Sequence, residues 1–550
     1  MIILIILTRK IKMKLNKIFF LVLISSSTLI AQDISITEIK VLKGFEPSIP
    51  QANRLNSKAI FSDTIKKDRS QNYSIISETI ESEYTVRVLK PAKIKNDRIA
   101  ELYATTISLG LGNRFSTSSN VVHNSLRSKR FSYGIMLNHF ANKYRTNSFL
   151  AKNSSNNMLV YSKIVSTNNN YRVSLDYDRR TALYFNDTLS SSFQKSYRNR
   201  FSYTKFAFTA FSTVLEAARI KHKTQIFLSD LNEFSENQIH LKSNLSQTIN
   251  DFPVSLGLEF NNYFNYASNS SKNINVRSFY MVPSIFIVKN DIEFDIGLSL
   301  SYFTDLGSID ISPELKIAKE LVKDIVLVYT GLRPNVQRHT IKTLSDQNPF
   351  IHSFKTNQQI LGDKNLLIDL RSTYTKELYF GMRNVLSKKE VLCFESAYGI
   401  VDNFAHFARV DSFLYNRFLI DYIAVRQLHI NLDYKRVINN IISLNLNTDF
   451  FNRDVLVYYR PNLCFNLSLP INLRNKIKII PRMKYLSKMY TSIGSEISST
   501  LHLNIDFHYN YNEKTGAFLQ LINLTNSNKE YWRDYNEAGF TMLFGLRYSF

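Results

Sequence analysis

The chain ends in the stretch Ala538-Gly539-Phe540-Thr541-Met542-Leu543-Phe544-Gly545-Leu546-Arg547-Tyr548-Ser549-Phe550, in which large apolar side chains recur at every second position. Successive side chains of a β-strand point to opposite faces, so the even-numbered residues form one oily face. The odd-numbered residues are small or polar apart from Leu543. An oily face that ends on an aromatic residue is typical of a lipid-facing strand in a transmembrane barrel. The alternative is an amphipathic edge strand of a soluble β-sandwich.

The same alternation recurs upstream, from Leu102 onward. Clear segments of this kind are residues 105–112, 171–178, 254–261, 292–300, 428–435, 442–450 and 501–512. Many alternating segments of about ten residues are the pattern of an outer-membrane barrel, whereas a sandwich has shorter strands and more Gly/Pro turns. We therefore predict an all-β fold, a transmembrane antiparallel β-barrel formed by residues 101–550. No helix of useful length is expected.

The N-terminus predicts export from the cytoplasm. Lys14 and Lys17 precede an apolar run, residues 18–30, and Ala31 is a small residue suited to cleavage before Gln32. This is the plan of a signal peptide, residues 1–31, although an uncleaved membrane anchor is the alternative. Residues 32–100 lack sustained alternation and are expected to form a short periplasmic N-terminal segment. After the signal no apolar run is long enough for a helical span, so a membrane role would depend on strands.

Composition supports β structure and excludes some functions. Aromatic residues make up 13% of the chain, with 39 Phe and 31 Tyr, and strands favour such residues. The formal net charge is +24, and so basic a chain could bind nucleic acid, bind an anionic membrane surface or form an anion pore. The basic residues are scattered without a dense stripe, so we predict no nucleic-acid partner.

Connections near the C-terminus alternate between short and long. In outer-membrane barrels the short turns face the periplasm and the long loops face outward, so Phe550 is expected at the periplasmic end. The largest outer loops are predicted at Thr343–Gly362 and Val401–Tyr415. Oily segments from Leu102 number about 20, and because irregular stretches conceal some strands and single-chain bacterial barrels have even numbers, we predict about 22 strands, within a range of 16 to 22.

The region from Phe518 resembles the end of TonB-dependent receptor barrels. Residues 518–526 end in an Asn-Leu turn, Tyr531 lies in the following loop, and Gly539 leads a closing strand that ends in Phe550. The lead-in, residues 39–47, is similar to the start of a related group of receptor-like barrels. Receptors of this family carry a sizeable N-terminal plug. Residues 32–100 are short for such a domain, so the resemblance implies a barrel that lacks the plug.

The sequence leaves contact with TonB undecided. Residues 36–42 mix Ile, Val and Leu and could be read as a TonB-box-like strand or as an ordinary short strand. The resemblance therefore implies the barrel and leaves energised uptake undecided.

Two sets of polar residues on predicted lumen faces could carry chemistry. His502, Asp506 and His508 share the polar face of one strand, but side chains four residues apart on a strand are roughly 13 Å apart. They would need partners from neighbouring strands to form a hydrolase site, so an ordinary polar lumen is preferred. The second set is basic: Lys478, Arg482, Lys484 and Arg547.

The basic set could attract anions into a pore, or its charges could be paired within the lumen. We prefer pairing, because confined charges usually find partners. The available acids are Glu259, Glu293, Asp295, Asp449 and Asp506. The two cysteines, Cys393 and Cys464, are expected to be unpaired thiols.

Together these features predict an integral protein of the cell outer membrane of a Gram-negative bacterium. We expect a TonB-dependent receptor-like or porin-like barrel that passes or binds a solute. The alternative is a non-transporting structural subunit that docks envelope proteins through residues 32–100. We predict no enzyme activity and no catalytic, cofactor-binding or metal residues, and outer-membrane lipid is the expected partner.

Overall fold

The computed structural model describes residues 102–126, 128, 130–146, 149–184, 198–213, 219–232, 236–265, 274–305, 307–352, 370–409, 417–527 and 530–550. The predicted signal peptide and N-terminal segment lie outside these residues. The strands are Thr105–Gly112 (β1), Ser116–Asn124 (β2), Phe131–Thr146 (β3), Phe149–Val165 (β4), Asn169–Leu183 (β5), Arg198–Ser212 (β6), Lys221–Leu231 (β7), Glu236–Ile249 (β8), Phe252–Asn265 (β9), Ile274–Lys289 (β10), Ile292–Phe303 (β11), Ser308–Val322 (β12), Val326–Arg338 (β13), Ser372–Ser387 (β14), Glu390–Arg409 (β15), Phe418–Val437 (β16), Ser443–Arg453 (β17), Leu463–Ser468 (β18), Ile471–Leu473 (β19), Ile477–Leu486 (β20), Met489–Tyr490 (β21), Glu496–Ile497 (β22), Thr500–Asn510 (β23), Thr515–Ile522 (β24), Glu530–Trp532 (β25), Tyr535–Asn536 (β26) and Thr541–Ser549 (β27). One helix, Ile341–Gln347 (α1), lies among the described residues.

The main sheet closes on itself. It contains 23 strand segments, each antiparallel to its neighbours, and β1 pairs with β27 from Thr106↔Ser549 to Gly112↔Leu543. β18 and β19 both pair with β20 on either side of Leu469-Pro470, so they form one interrupted strand of the wall. The barrel therefore has 23 − 1 = 22 strands, which confirms the predicted fold class and strand number. β21 with β22, and β25 with β26, form two small hairpins outside the wall.

The closing strand shows the two faces expected from its sequence. Phe544, Leu546 and Tyr548 are each at least half exposed, whereas Leu543 on the other face is 1% exposed. The exposed side chains continue outward-facing apolar residues on neighbouring strands, including Leu109 and Leu111. Because closure leaves no unpaired sheet edge, the barrel can stand in hydrocarbon with its backbone groups bonded.

Most connections at one end of the barrel are short turns, and the longest connection, residues 339–371, lies at the other end. Asn290-Asp291 and Asn250-Asp251 close two hairpins, and all four residues have positive φ between 47° and 67°. Such turns match the twist of antiparallel strands, and Asn and Asp tolerate this backbone better than most residues do. Phe550 lies at this end, so we call it periplasmic and the other end outer.

The structure corrects two local predictions. Residues 343–347 of the predicted outer loop Thr343–Gly362 belong to α1, and that connection runs from residue 339 to 371, between β13 and β14. The predicted loop Val401–Tyr415 begins too early, because β15 continues to Arg409 through a register shift between Val401 and Phe404. Helix α1 has seven residues, too few to show a helical period in the sequence. None of the described helical residues form a helix long and apolar enough to cross a membrane.

Candidate functional site at the outer mouth

Helix α1 is fixed to the inner wall of the barrel by a buried carboxylate. Thr340 caps the helix, and its hydroxyl accepts a hydrogen bond from the Thr343 amide at 3.1 Å. Two further amide groups at the N-terminus donate to Glu236 on β8, Ile341 N at 2.8 Å and Lys342 N at 3.3 Å. The first amides of a helix lack partners within it and attract anions. Glu236, a residue of the barrel wall, thus accepts hydrogen bonds from amides that have no partner within the helix.

An ion network holds the next turn of α1 against β5. The Lys342 ammonium lies 3.1 Å from Asp178 and 2.8 Å from Asp346, and Arg180 pairs with both carboxylates. Burial, together with the nearby Arg180 charge, lowers the pKa of Lys342. Lys342 also lies 5.0 Å from the centroid of the Tyr203 ring, so its charge is met by carboxylates and an aromatic face.

The segment after α1 links two distant parts of the wall. The Asn199 amide on β6 donates to the carbonyl groups of Pro349, at 2.8 Å, and Ile351, at 2.9 Å. His352 N then donates to Phe418 O on β16 at 2.9 Å. β6 and β16 are 16 − 6 = 10 strands apart in a ring of 22, nearly opposite each other. Residues 339–352 therefore cross the outer mouth of the barrel.

Aromatic side chains converge where this segment meets the outer hairpins. We call the following residues the mouth cluster: Phe350, Phe407, Phe418, Tyr459, Trp532 and Tyr535. Phe350 stacks on Tyr535 with ring centroids 3.5 Å apart, and Trp532 lies 5.1 to 5.3 Å from Phe407, Phe418 and Tyr459. Offset and edge-to-face packing of this kind stabilises aromatic contacts beyond their area. The cluster joins α1's segment, β15, β16 and the β25–β26 hairpin.

A cavity of about 350 Å³ opens beside the mouth cluster. Its lining is aromatic and amide-rich: Tyr144, Ala151, Asn153, Leu183, Gln347, Phe350, Tyr531, Trp532, Tyr535, Asn536 and Glu537. Glu537 is the carboxylate in this lining, and burial raises its pKa, only partly offset by the positive charge of Lys484. Cavities with apolar walls and a few convergent polar groups are the usual form of small-molecule sites.

A second cavity, of about 160 Å³, is linked to the first by a hydrogen bond between residues of the two linings. Arg460 lines it and donates to Gln347 at 2.7 Å, and burial lowers the pKa of Arg460. Arg453 lines it too, and both guanidinium groups lie within 6 Å of the Phe404 ring centroid. Asp454 in the same lining accepts a hydrogen bond from Arg426 N at 2.9 Å.

Neither guanidinium of this second cavity forms an ion pair with a carboxylate of the described residues. In each of Arg453 and Arg460 the Nε atom is buried without a hydrogen-bond partner there. Three cations, Arg453, Arg460 and Lys488, line this small space against one carboxylate, Asp454, so its net positive charge favours a further anion as a partner.

The sequence-predicted lumen residues do not come together as a catalytic group, although one of them contacts the lining of the mouth cavity. His502 lies 3.4 Å from Glu537, and Asp506 pairs with Arg482 at 2.7 Å. Their strand positions place them two or more residues apart along β23, and His508 faces Lys478 across the β20–β23 pairing. The preferred pairing of Arg482 with one of the proposed acids is observed.

Among the described residues, the other cations of the predicted lumen set contact other partners or have none. Arg547 donates to the Asn510 side chain at 2.9 Å, and Lys484 stands opposite His502 in register. Lys242 and His429 pair with two other acids of the predicted set, Glu259 at 3.0 Å and Asp449 at 3.0 Å. Cys393 and Cys464 are free thiols, as predicted.

Sequence reasoning found part of this site and missed the rest. Residues 348–352 belong to a predicted large outer loop, and in the structure they cross the mouth. Glu236, Arg460 and Trp532 carried no motif, because their contacts join residues more than about a hundred positions apart or lie in irregular loops. The one available hint was composition, since Trp532 is the single tryptophan of the chain.

No protein-family model and no curated protein matches the sequence. Solved structures do match the fold. The ferric enterobactin receptor PfeA of Pseudomonas aeruginosa has a TM-score of 0.58 and 11% identity, with 81% of each chain covered. The FrpB iron transporter of Neisseria meningitidis has a TM-score of 0.61 and 9% identity, with 82% of each chain covered. The siderophore receptor PirA of Acinetobacter baumannii has a TM-score of 0.59 and 9% identity, covering 82% of this chain and 81% of that one.

These likenesses show the fold. The chain is an antiparallel 22-strand barrel whose fold is similar to that of these structures, and its lipid-facing belt places it in the outer membrane. At such low identity the likeness does not carry a ligand from one protein to another.

Proposed function

We propose that this protein is an outer-membrane receptor that captures a small, anionic, aromatic solute at its outer mouth and passes it inward. The observation that carries the proposal is the mouth cluster, whose aromatic cavity adjoins the Arg453–Arg460 cavity through Gln347. Aromatic walls favour a flat, unsaturated ligand, and the two guanidinium groups favour negative charge. The structural neighbours named above include a ferric enterobactin receptor, a siderophore receptor and an iron transporter, which is consistent with this solute class.

The single tryptophan makes the proposal directly testable. Trp532 lies inside the mouth cluster, so ligand that enters the cavity should change its fluorescence. The detergent-purified full chain would be titrated with a hexadentate tris-catecholate complex of gallium(III), which is anionic. A neutral gallium(III) tris-hydroxamate of similar size is the control ligand. We expect saturable quenching by the first and little response to the second.

Paired variants separate charge from fold. The double variant R453Q/R460Q should weaken binding of the anionic chelate by roughly tenfold or more, since each buried charged hydrogen bond contributes about 1.5–3 kcal/mol. Lys478→Gln, on the lumen face near the periplasmic end, is the control substitution. Equal responses to anionic and neutral chelates, or unchanged binding by the Arg variant, would contradict the proposal.

We infer further that residues 1–31 are removed and that residues 32–100 face the periplasm, where any contact with TonB would occur. N-terminal sequencing of the mature protein should begin at Gln32. Protease added to sealed outer-membrane vesicles should spare residues 32–100 and remove them once the vesicles are opened. Uptake of the solute that ceases without TonB would show that the transport is energised.

A further inference from the structure

A group of basic side chains stands on the outside of the barrel, near the outer ends of β3 and β4. Lys143 and Arg145 alternate with inward-facing Tyr144, which lines the mouth cavity, so both point away from the lumen. Lys152 on β4 pairs in register with Lys143 and shares its face. All three are exposed. We call Lys143, Arg145 and Lys152 the exterior basic patch.

The patch carries an electrostatic cost that no carboxylate of the described residues offsets. Lys143 and Lys152 are directly opposite each other on one face of an antiparallel pair, an arrangement that destabilises a sheet when the charges are alike. Among the described residues no carboxylate lies within ion-pair distance of any of the three. In the lumen, by comparison, Arg482, Lys242 and Arg333 each form an ion pair with a carboxylate.

The height of the patch on the wall matches the level of lipid headgroups. Below it on β3, the outward residues Phe131, Ile135 and Leu137 are exposed and apolar. From Phe131 to Lys143 the strand rises about 40 Å along its own axis, or about 30 Å along the barrel axis at the usual tilt, given 3.3 Å per residue. The apolar belt of such barrels is about 25 Å tall, so Lys143 stands just above it.

An aromatic residue marks the same boundary. Phe115, in the outer turn between β1 and β2, is 80% exposed, and the Lys143 ammonium lies 5.8 Å from its ring centroid. Aromatic side chains gather at the edges of the hydrocarbon region, where an apolar ring and a polar neighbour can both be satisfied. The patch thus combines an interfacial ring with three cations above it.

We propose that the exterior basic patch binds the phosphate groups of an anionic glycolipid in the outer leaflet. Phosphates placed between Lys143, Lys152 and Arg145 would relieve the like-charge repulsion, and the acyl chains would lie along the apolar belt beneath. This contact is on the lipid side of the wall and is independent of the solute site in the mouth.

Native mass spectrometry of the detergent-purified full chain tests the proposal. The probes are lipid A, which carries phosphates, and phosphatidylcholine, which has no net charge. Wild-type protein should retain lipid A and little phosphatidylcholine. The triple variant K143Q/R145Q/K152Q should retain lipid A at least roughly tenfold less well, because several headgroup contacts are lost together.

A matched variant and a competitor make the outcome specific. K289Q/K319Q/K323Q removes three exposed cations at the periplasmic end of β10 and β12, and it should bind lipid A like the wild type. Inorganic phosphate at the same concentration should not displace lipid A, because it lacks the acyl chains. Heat-dependent gel mobility would confirm that each variant is folded. Lipid A binding that survives in K143Q/R145Q/K152Q, or falls equally in both triple variants, would overturn the proposal.

Discussion

At the scale of single residues, the seam of the barrel depends on two glycines. Gly545 of β27 pairs with Gly110 of β1 and with Phe518 of β24, whose ring lies over both. A methyl group at Gly545 would collide with that ring and with the Leu109 carbonyl. We expect Gly545→Ala to destabilise the closed barrel by about 1–3 kcal/mol, the usual cost of overpacking. Heat-dependent gel mobility measures this, and Gly257→Ala, whose new methyl would meet its nearest atoms at 3.8 Å, should change little.

A single histidine should make the mouth sensitive to acid. His339 lies buried between β13 and α1, with a ring nitrogen 2.6 Å from the Thr373 hydroxyl. Burial, with the positive charges of Arg460 and Arg338, lowers the pKa of His339 to about 4. The unfolded segment binds this proton more readily, with a pKa near 6.5. The free energy of unfolding is therefore highest above about pH 6.5 and decreases as the pH falls towards about 4.

The predicted loss of stability is about 3 kcal/mol at most, from the 1.4 kcal/mol that each pKa unit represents. Urea unfolding of the mouth, followed by Trp532 fluorescence at pH 7 and at pH 4.5, measures it. His339→Gln should show a smaller difference between the two pH values than the wild type. An identical difference in both proteins would assign the acid sensitivity to other groups.

At the scale of elements, α1 should depend on the wall carboxylate that caps it. Glu236→Gln removes the negative charge but keeps the shape, and the two helix amides then lose a charge-assisted acceptor. We expect residues 339–352 to open several-fold to a hundredfold more often, corresponding to about 1–3 kcal/mol. Trypsin cleavage after Lys342 reports this opening, because a protease cuts the open form.

The control for that experiment is Glu293→Gln, at the periplasmic end of β11 and paired in register with Val288 and Ala318. Its cleavage rate should equal that of the wild type. If Glu236→Gln also leaves the rate unchanged, the capping contact contributes little to holding α1 in place.

The contrast between wall and mouth explains what the sequence alone could predict. The wall follows a rule with a period of two, because lipid demands apolar side chains at each outward position of a strand. The alternation in segments such as residues 501–512 therefore predicted their strands. The mouth follows no period: Glu236 meets Ile341, and Asn199 meets Ile351, across more than a hundred residues. Helix α1 spans two turns, too few to reveal itself against a background of strands.

At the scale of the whole molecule, the wall is uneven in height. Strands β15 and β16 each contain 20 residues, whereas β1 and β24 each contain 8. The longer strands rise past the apolar belt on one side, and on the side with short strands the β25–β26 hairpin reaches the mouth cluster. The mouth is therefore formed by long strands on one side and by a loop hairpin on the other. Trp532 of the hairpin contacts residues from both sides.

The two native cysteines test the orientation of the entire wall. Cys393 lies between outward-facing Leu392 and Phe394, and Cys464 stands opposite lumen-facing Asp449, so both thiols point inward. In vesicles they should react with a small, charged, water-soluble methanethiosulfonate and not with a maleimide confined to lipid. Leu546→Cys in a cysteine-free background should react in the opposite way, since Leu546 is 59% exposed on the lipid face. Native thiols that react only from the lipid would reverse the assignment of the two faces. That reversal would also remove the mouth cavity from the path of any solute.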